Sequence, residues 1–495
     1  MFLSIILIAF IITLIAIYLA GISNERYWKR KGVKFYSKNK FTGVFWDFFV
    51  QKGAMFERFS ELYKEYRNEP AVGIGSMTTP ALFVIHPKNV QHILQADFNS
   101  FYHRGIEINE DDKLANNMVF LNGPKWKLLR QNMTPLFTGT KLRNMYYLMD
   151  KIGQDCVVYL KNNPKVWEEG CFDTLMTFCN AAVCGAIFGI SSESIFDSPF
   201  LKMAKDVNEP TFIRNMKFSV MAVSPRLTKL FGVKIFNDYE DFFIGAITRV
   251  IERREKENIK GNDFADLCFN LRNNGKMKDS TTGCEIEPTF EVLSAQAMFF
   301  LVAGVEPVAI AIFSTLIELG QHPDILEKVH REIDEQFEKH NNIITYESIS
   351  EMTYIDKVLC EAMRINPPIG ALTRECVRDT VLPVGNIKVD KGTKIFTPIY
   401  NIHHDPAFYP NPEIFDPERF VNSKISDEFY MPFGMGGRMC IGARYSKLQM
   451  AASLVHILRH FTVRTKQLGG PKFRKHLNNV RRIDVDVQFM PRNLK

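Results

Sequence analysis

The nine cysteines of this 495-residue chain are odd in number, spread from Cys156 to Cys440, and never form a CxxC pair. A disulfide framework is therefore not expected, nor a structural zinc site on paired thiolates, and the compartment reads as reducing. Beyond residue 45 the chain also lacks low-complexity linkers and internal repeats. Its length could hold roughly three domains, but without linkers one large core is the better expectation. Charge of one sign is scarce too: 62 Lys and Arg face 55 Asp and Glu, a net of +7. That is too diffuse for a nucleic-acid binder, while an acidic protein partner or an anionic membrane surface would suit it. Apolar bulk is abundant. Hydrophobic residues make up 46% of the chain, with 41 Phe and 20 Met, which excludes a disordered or collagen-like chain and requires a sizeable interior.

Charge is wholly missing from Phe2 to Asn24, and Phe2 to Gly21 is almost continuously apolar. A membrane-spanning helix needs about 20 such residues. A signal peptide has an apolar core of only about 7–15, followed by small residues at a cleavage site. Positive charges come after the run, at Arg26, Lys29, Arg30, Lys31 and Lys34, which leaves the body on the cytoplasmic side. The expected organisation is an N-terminal transmembrane anchor over 1–22, a basic linker over 23–45 and one body over 46–495. Asn132-Met133-Thr134 then matches a glycosylation sequon by accident.

Helical periodicity dominates the body, over 54–69, 125–145, 238–260, 290–319, 323–339 and 353–365. Short strand-like pieces fall at 71–74, 81–85, 380–382, 394–398 and 482–490. The fold class is mainly α with a small β region. Residues 218–233 form an apolar stretch with scattered positives, suited either to the core or to a second membrane-dipping patch.

The stretch most telling of chemistry is Phe433-Gly434-Met435-Gly436-Gly437-Arg438-Met439-Cys440-Ile441-Gly442. Three glycines in four positions cannot form a helix or strand interior, and they allow a close backbone approach. From Ala443 onward the pattern is helical, so Cys440 lies near a helix N-terminus, which favours a thiolate. A buried structural cysteine in a glycine loop is the plain alternative. The full pattern FxxGxRxCxG, however, resembles the haem-binding signature of the cytochrome P450 family. The resemblance implies a single large haem domain behind one N-terminal transmembrane helix, with haem b (iron protoporphyrin IX) as cofactor and Cys440 as its metal ligand. A thiolate there pushes electron density onto iron and favours O–O cleavage. Arg438 is similar to the family's propionate-pairing arginine, and Phe433 to the aromatic packed by the ligand loop.

Other matches follow in the family's order. Glu361-Ala362-Met363-Arg364 resembles its ExxR motif, and Arg419 in Pro417-Glu418-Arg419-Phe420 would complete a buried charge network with that pair. Glu375 and Arg378 share the spacing by coincidence. His403 and His404 could hint at a metal, but they stand in the family's stretch leading into Arg419. Trp126 and Arg130 resemble its WxxxR motif, aimed at haem propionate from one helical face, and Arg374 matches another propionate-pairing position. The local style is most similar to the insect microsomal detoxification branch.

One segment departs. Ala303-Gly304-Val305-Glu306-Pro307 stands where the family has AGx(D/E)T, so Ala303, Gly304 and Glu306 are the implied catalytic residues and the threonine is Pro307. Proline has no hydroxyl and no N–H, and its ring collides with the carbonyl of Ala303. The groove can survive; the side-chain proton relay cannot. Water, Glu306 or a substrate hydroxyl could replace it, leaving a monooxygenase that inserts one oxygen atom from O2 into a small lipophilic substrate. Alternatively, the enzyme is a dehydratase or isomerase acting on an oxime or peroxide. A non-turnover haem sensor is the third reading. The implied electron donors are NADPH–cytochrome P450 reductase and cytochrome b5, with Lys125 and Lys127 as docking points, at the endoplasmic reticulum membrane. The implied substrate lining is 101–118, 298–306 and 369–372.

Overall fold

A computed structural model describes residues 2–493 except 39–42, 46–51, 77–78, 191–197, 210, 224–227, 229, 258–260, 262 and 423–428. In chain order the elements that position the site are α1 (Phe2–Arg30), α2 (Met55–Glu65), β1 (Ala71–Ser76), β2 (Thr79–Val84), α3 (Gly123–Met133), α4 (Gly139–Asn162), α5 (Cys171–Ala186), α6 (Pro199–Asn208), α7 (Phe212–Val223) and α8 (Glu240–Glu257). They continue with α9 (Phe290–Gln321), α10 (Pro323–Lys339), α11 (Thr353–Ile365), β3 (Leu372–Glu375), β4 (Lys394–Thr397), α12 (Ala443–His460), β5 (Phe461–Gln467) and β6 (Val485–Pro491).

Helix α9 is the axle. Thr289 caps it by accepting from the N–H of Val292, which satisfies one of the free donors of the first turn. It is apolar nearly all round, the mark of a helix buried on every side. By length and composition it could cross a membrane, yet most of it is buried inside the protein, packed against α5, α8, α11, α12 and β5. It stays helical through Pro307.

The sheet region is small, as expected. β1 and β2 pair antiparallel, β2 and β4 parallel, and β3 and β4 antiparallel, giving the order β1-β2-β4-β3. Its second core holds Phe59, Phe83 and Phe396. A separate antiparallel pair joins β5 to β6, with Val463 opposite Phe489.

Two boundaries differ from the sequence pattern. The helix expected over 125–145 is broken: α3 stops at Met133, a 3-10 turn spans Thr134–Phe137, and α4 starts at Gly139. Pro135 withholds the N–H that would reach the Gln131 carbonyl and crowds the preceding turn, while the Thr134 N–H and its hydroxyl, at 2.7 Å, both close on the Arg130 carbonyl. At the other end, α1 runs past residue 22 to Arg30, so the segment expected as linker begins as helix. Trp28 is fully buried, and Gly73 of β1 lies so close that an added Cβ would run into its ring. Tyr27 donates to Asp390 at 2.7 Å and Lys31 pairs with the same carboxylate at 2.6 Å. Most of the apolar side chains from Leu7 to Leu19 are exposed. In the 218–233 stretch, Phe218 is half-buried and Leu230 and Phe231 are exposed, while 224–227 and 229 lie outside the described residues.

Candidate active site

Between α9 and the sheet region lies a cavity of about 380 Å³ with mainly apolar walls. Cys440 opens onto it. The loop before it turns through left-handed backbone at Gly434 (φ 74°) and Gly436 (φ 69°), which glycine adopts without strain. The N–H of Cys440 bonds back to the Phe433 carbonyl at 2.9 Å. Gly442 then begins α12, and its N–H reaches the sulfur. Burial raises the thiol pKa, while the Gly442 N–H and the charges of Arg130 and Arg104 pull it down. A small loop has thus placed a sulfur with a helix start behind it and cations in front.

Those cations are the unusual feature. Arg104, Arg130 and Arg438 line the cavity, and Arg374 is buried beside them. Among the described residues none of the four has a carboxylate within ion-pair distance, and the Nε atoms of Arg104 and Arg374 have no partner. Burial and mutual repulsion push Arg438 down to about 8, Arg374 to about 9 and Arg104 to about 10. A guanidinium does not surrender its proton in a protein, so this crowding is an unmet demand for negative charge. Arg438 is fixed by the Tyr102 and Leu121 carbonyls at 2.6 and 2.8 Å and lies 4.1 Å over the Trp126 ring.

The structure brings Cys440, Phe433, Arg438, Trp126 and Arg130 together on one wall, with Ala303 and Pro307 on another. Two residues of the 303–307 segment face elsewhere. Gly304 packs on α5, where an added Cβ would come within 2.8 Å of Val183. Glu306 is buried, does not line the cavity, and accepts from Arg474 Nη1 at 2.7 Å. Arg474 also holds Glu209, just beyond α6. Burial lifts the Glu306 carboxyl to about 6 against the pull of Arg474 and Arg481.

The buried charge network stands apart from the cavity. Arg364 meets Glu361 through two bonds at 2.7 and 2.9 Å, both side chains fully buried, and Arg419 reaches Glu361 at 3.2 Å. Arg378, by contrast, turns to Asp97 and Ser100, so its spacing from Glu375 carries no pair. His403 accepts the Met431 N–H at 3.1 Å, and no group of metal-ligating side chains occurs among the described residues.

Sequence reasoning placed Arg104 only within the implied substrate lining 101–118, not among the propionate-pairing arginines, because no spacing or motif marks it. It also missed part of the wall: Val207 and Asn208 from α6, Phe218 from α7, Phe236, and the loop 476–479. Expected lining positions that do contribute include Ile106, Met118, Met298, Val302, Ile369 and Leu372.

Comparison with known proteins supplies the rest. The model of the family described as Cytochrome P450 matches residues 41–487. The chain is similar to the probable cytochrome P450 6a13 of Drosophila melanogaster, 32% identical over 81% of each chain. It is also similar to cytochrome P450 6j1 of Blattella germanica, 33% identical over 92% of this chain and 91% of that one. With cytochrome P450 6B2 of Helicoverpa armigera it shares 30% over 96% and 98%.

Proposed function

This chain belongs to the cytochrome P450 family, and from that premise we propose how its own residues carry the family's chemistry. The enzyme is a haem-thiolate monooxygenase whose cofactor is haem b, and the relatives named above are insect proteins. The observation that carries the assignment of residues is one thiol facing three cavity-lining guanidiniums, with Arg374 buried beside them and none of the four paired with an acid among the described residues. A flat macrocycle with a metal at its centre and two carboxylates on its rim satisfies both at once. Cys440 would ligate the haem iron, with Arg104, Arg130, Arg374 and Arg438 meeting the propionates and Trp126 backing Arg438. Bound haem supplies the activation of O2 and the transfer of one oxygen atom.

The protein's part is electrostatic and steric. The Gly442 N–H and the α12 N-terminus stabilise the thiolate. Phe120, Phe218, Phe236, Met298 and Phe299 shape an apolar chamber for a small lipophilic substrate and keep bulk water out. Electrons would come from NADPH through NADPH–cytochrome P450 reductase, with cytochrome b5 as a second donor. Exposed Lys125 suits an acidic partner, whereas Lys127 lies 3.9 Å from Asp279. Helix α1, with exposed Phe212, Ile213, Leu230 and Phe231, would hold the body to the cytoplasmic face of the endoplasmic reticulum.

The test is spectroscopic first. Reduced protein under carbon monoxide should show the red-shifted Soret band of a thiolate ligand, and Cys440→Ser should abolish it; a variant that keeps the band would refute the assignment. Product should then require NADPH, reductase and O2 together. An oxime converted without O2 would favour the dehydratase that Pro307 brings to mind.

A further inference from the structure

In an α-helix the N–H of each residue bonds to the carbonyl four positions earlier. Pro307 has no N–H, so it leaves the Ala303 oxygen without the partner that any other residue would supply, and its ring presses that carbonyl out of line. Elsewhere such a break matters little, because solvent completes the bond. Here Ala303 and Pro307 both line the cavity, and their neighbours on that wall are Met298, Phe299, Val302, Val308 and Ala311. The same helix shows what is missing. Two turns later, Thr315 lays its hydroxyl on the Ala311 carbonyl at 2.8 Å; at 307 there is no hydroxyl to do so.

Several other polar side chains of the wall are committed internally, and the guanidiniums of Arg104, Arg130 and Arg438 can only donate. Asn117 donates to Leu114 and accepts from Val119. Asn208 donates to Ala204, and His476 accepts the N–H groups of Asn478 and Asn479. Glu306 is tied to Arg474.

We propose that the Ala303 carbonyl is the substrate-orienting acceptor of this chamber, and that it selects lipophilic ligands bearing an O–H or N–H donor, such as alcohols, phenols and amides. The proposal rests on the chamber being the haem and substrate site. A buried acceptor left unpaired costs free energy that a ligand's donor recovers, whereas an ether of the same shape recovers none. The proline thus replaces a side chain that gives and accepts protons with a backbone group that only accepts.

The experiment uses full-length, haem-loaded protein and two probes, 4-hexylphenol and its methyl ether, with dissociation constants read from the shift of the haem absorption. The wild type should prefer the phenol by about tenfold. Pro307→Ala returns the N–H, closes the helical bond and should bring the preference near unity, while its ligand-free unfolding midpoint rises. Pro307→Val, closer in volume, should do the same and serves if the alanine variant folds poorly. A wild type that binds both probes equally, or neither, overturns the proposal, and so does a preference that survives the loss of proline. Absence of the red-shifted carbon monoxide band in the wild type would instead overturn the haem-thiolate assignment beneath it.

Discussion

Glu306 Oε1 lies 2.7 Å from Arg474 Nη1, and its other oxygen has no hydrogen-bond partner among the described residues. The helix that lines the reaction chamber is thereby tied to the C-terminal loop, and through the second ion pair of Arg474 to Glu209 beside α6. The carboxylate next to the missing threonine is thus part of a structural clamp, held off the chamber wall.

That clamp predicts a pH signature. Burial holds the Glu306 proton up to about pH 6 in the folded chain, against an ordinary value of 4.5. A raised carboxyl pKa means the folded state binds more protons across this window, so stability is complete below 4.5 and lost as pH rises through 6. Glu306→Gln stays neutral, with Arg474, Arg481 and Glu209 unchanged around it. Its urea unfolding free energy relative to wild type should improve by about 2 kcal/mol between pH 4.5 and 7.5. A difference that does not vary with pH would show that Glu306 titrates as an exposed acid.

Arg104 should prove a cofactor contact. Its guanidinium lies among three other cations with no acid paired to it among the described residues, so removing it should ease repulsion unless an anion binds there. Arg104→Gln should lose haem about tenfold faster to an apomyoglobin trap, the scale of one charge-assisted hydrogen bond. An unchanged rate removes Arg104 from the site.

Glu361 and Arg364 are both wholly buried, so breaking the pair leaves one charge stranded. Arg364→Ala should cost roughly 3–5 kcal/mol, seen as little or no soluble holoprotein. Arg364→Lys should not rescue it, because one ammonium cannot replace the fork that also meets the His403 and Pro412 carbonyls at 2.8 and 2.7 Å. Rescue by lysine would mean that charge alone suffices.

Trp28→Ala removes the buried indole that packs against Gly73 of β1. The loss should be roughly 3 kcal/mol, visible as a lowered thermal midpoint. No change would mean that the end of α1 is loosely attached.

The motifs were readable where chemistry demands close spacing. Cys440 with its glycines, the i,i+3 pair Glu361 and Arg364, and the i,i+4 pair Trp126 and Arg130 are each determined within one turn or loop, and a single stretch of chain discloses them. Pro307 is equally plain, since the lack of an N–H is a property of the residue. The break at Pro135 shows the limit: periodicity continued across it, but the backbone could not.

Motifs pointed to Arg130, Arg374 and Arg438 separately, but no spacing joins Arg104 to them, and the chain alone could not show that all four crowd together without an acid among the described residues. Nor could it show that Gly304 faces Val183 or that Glu306 turns to Arg474, because a helix's period says which residues share a face but not what that face meets. Such pairings depend on contacts between segments more than 100 residues apart. Covalent chemistry is local and therefore legible, whereas burial and electrostatic partnership exist once the chain has closed on itself.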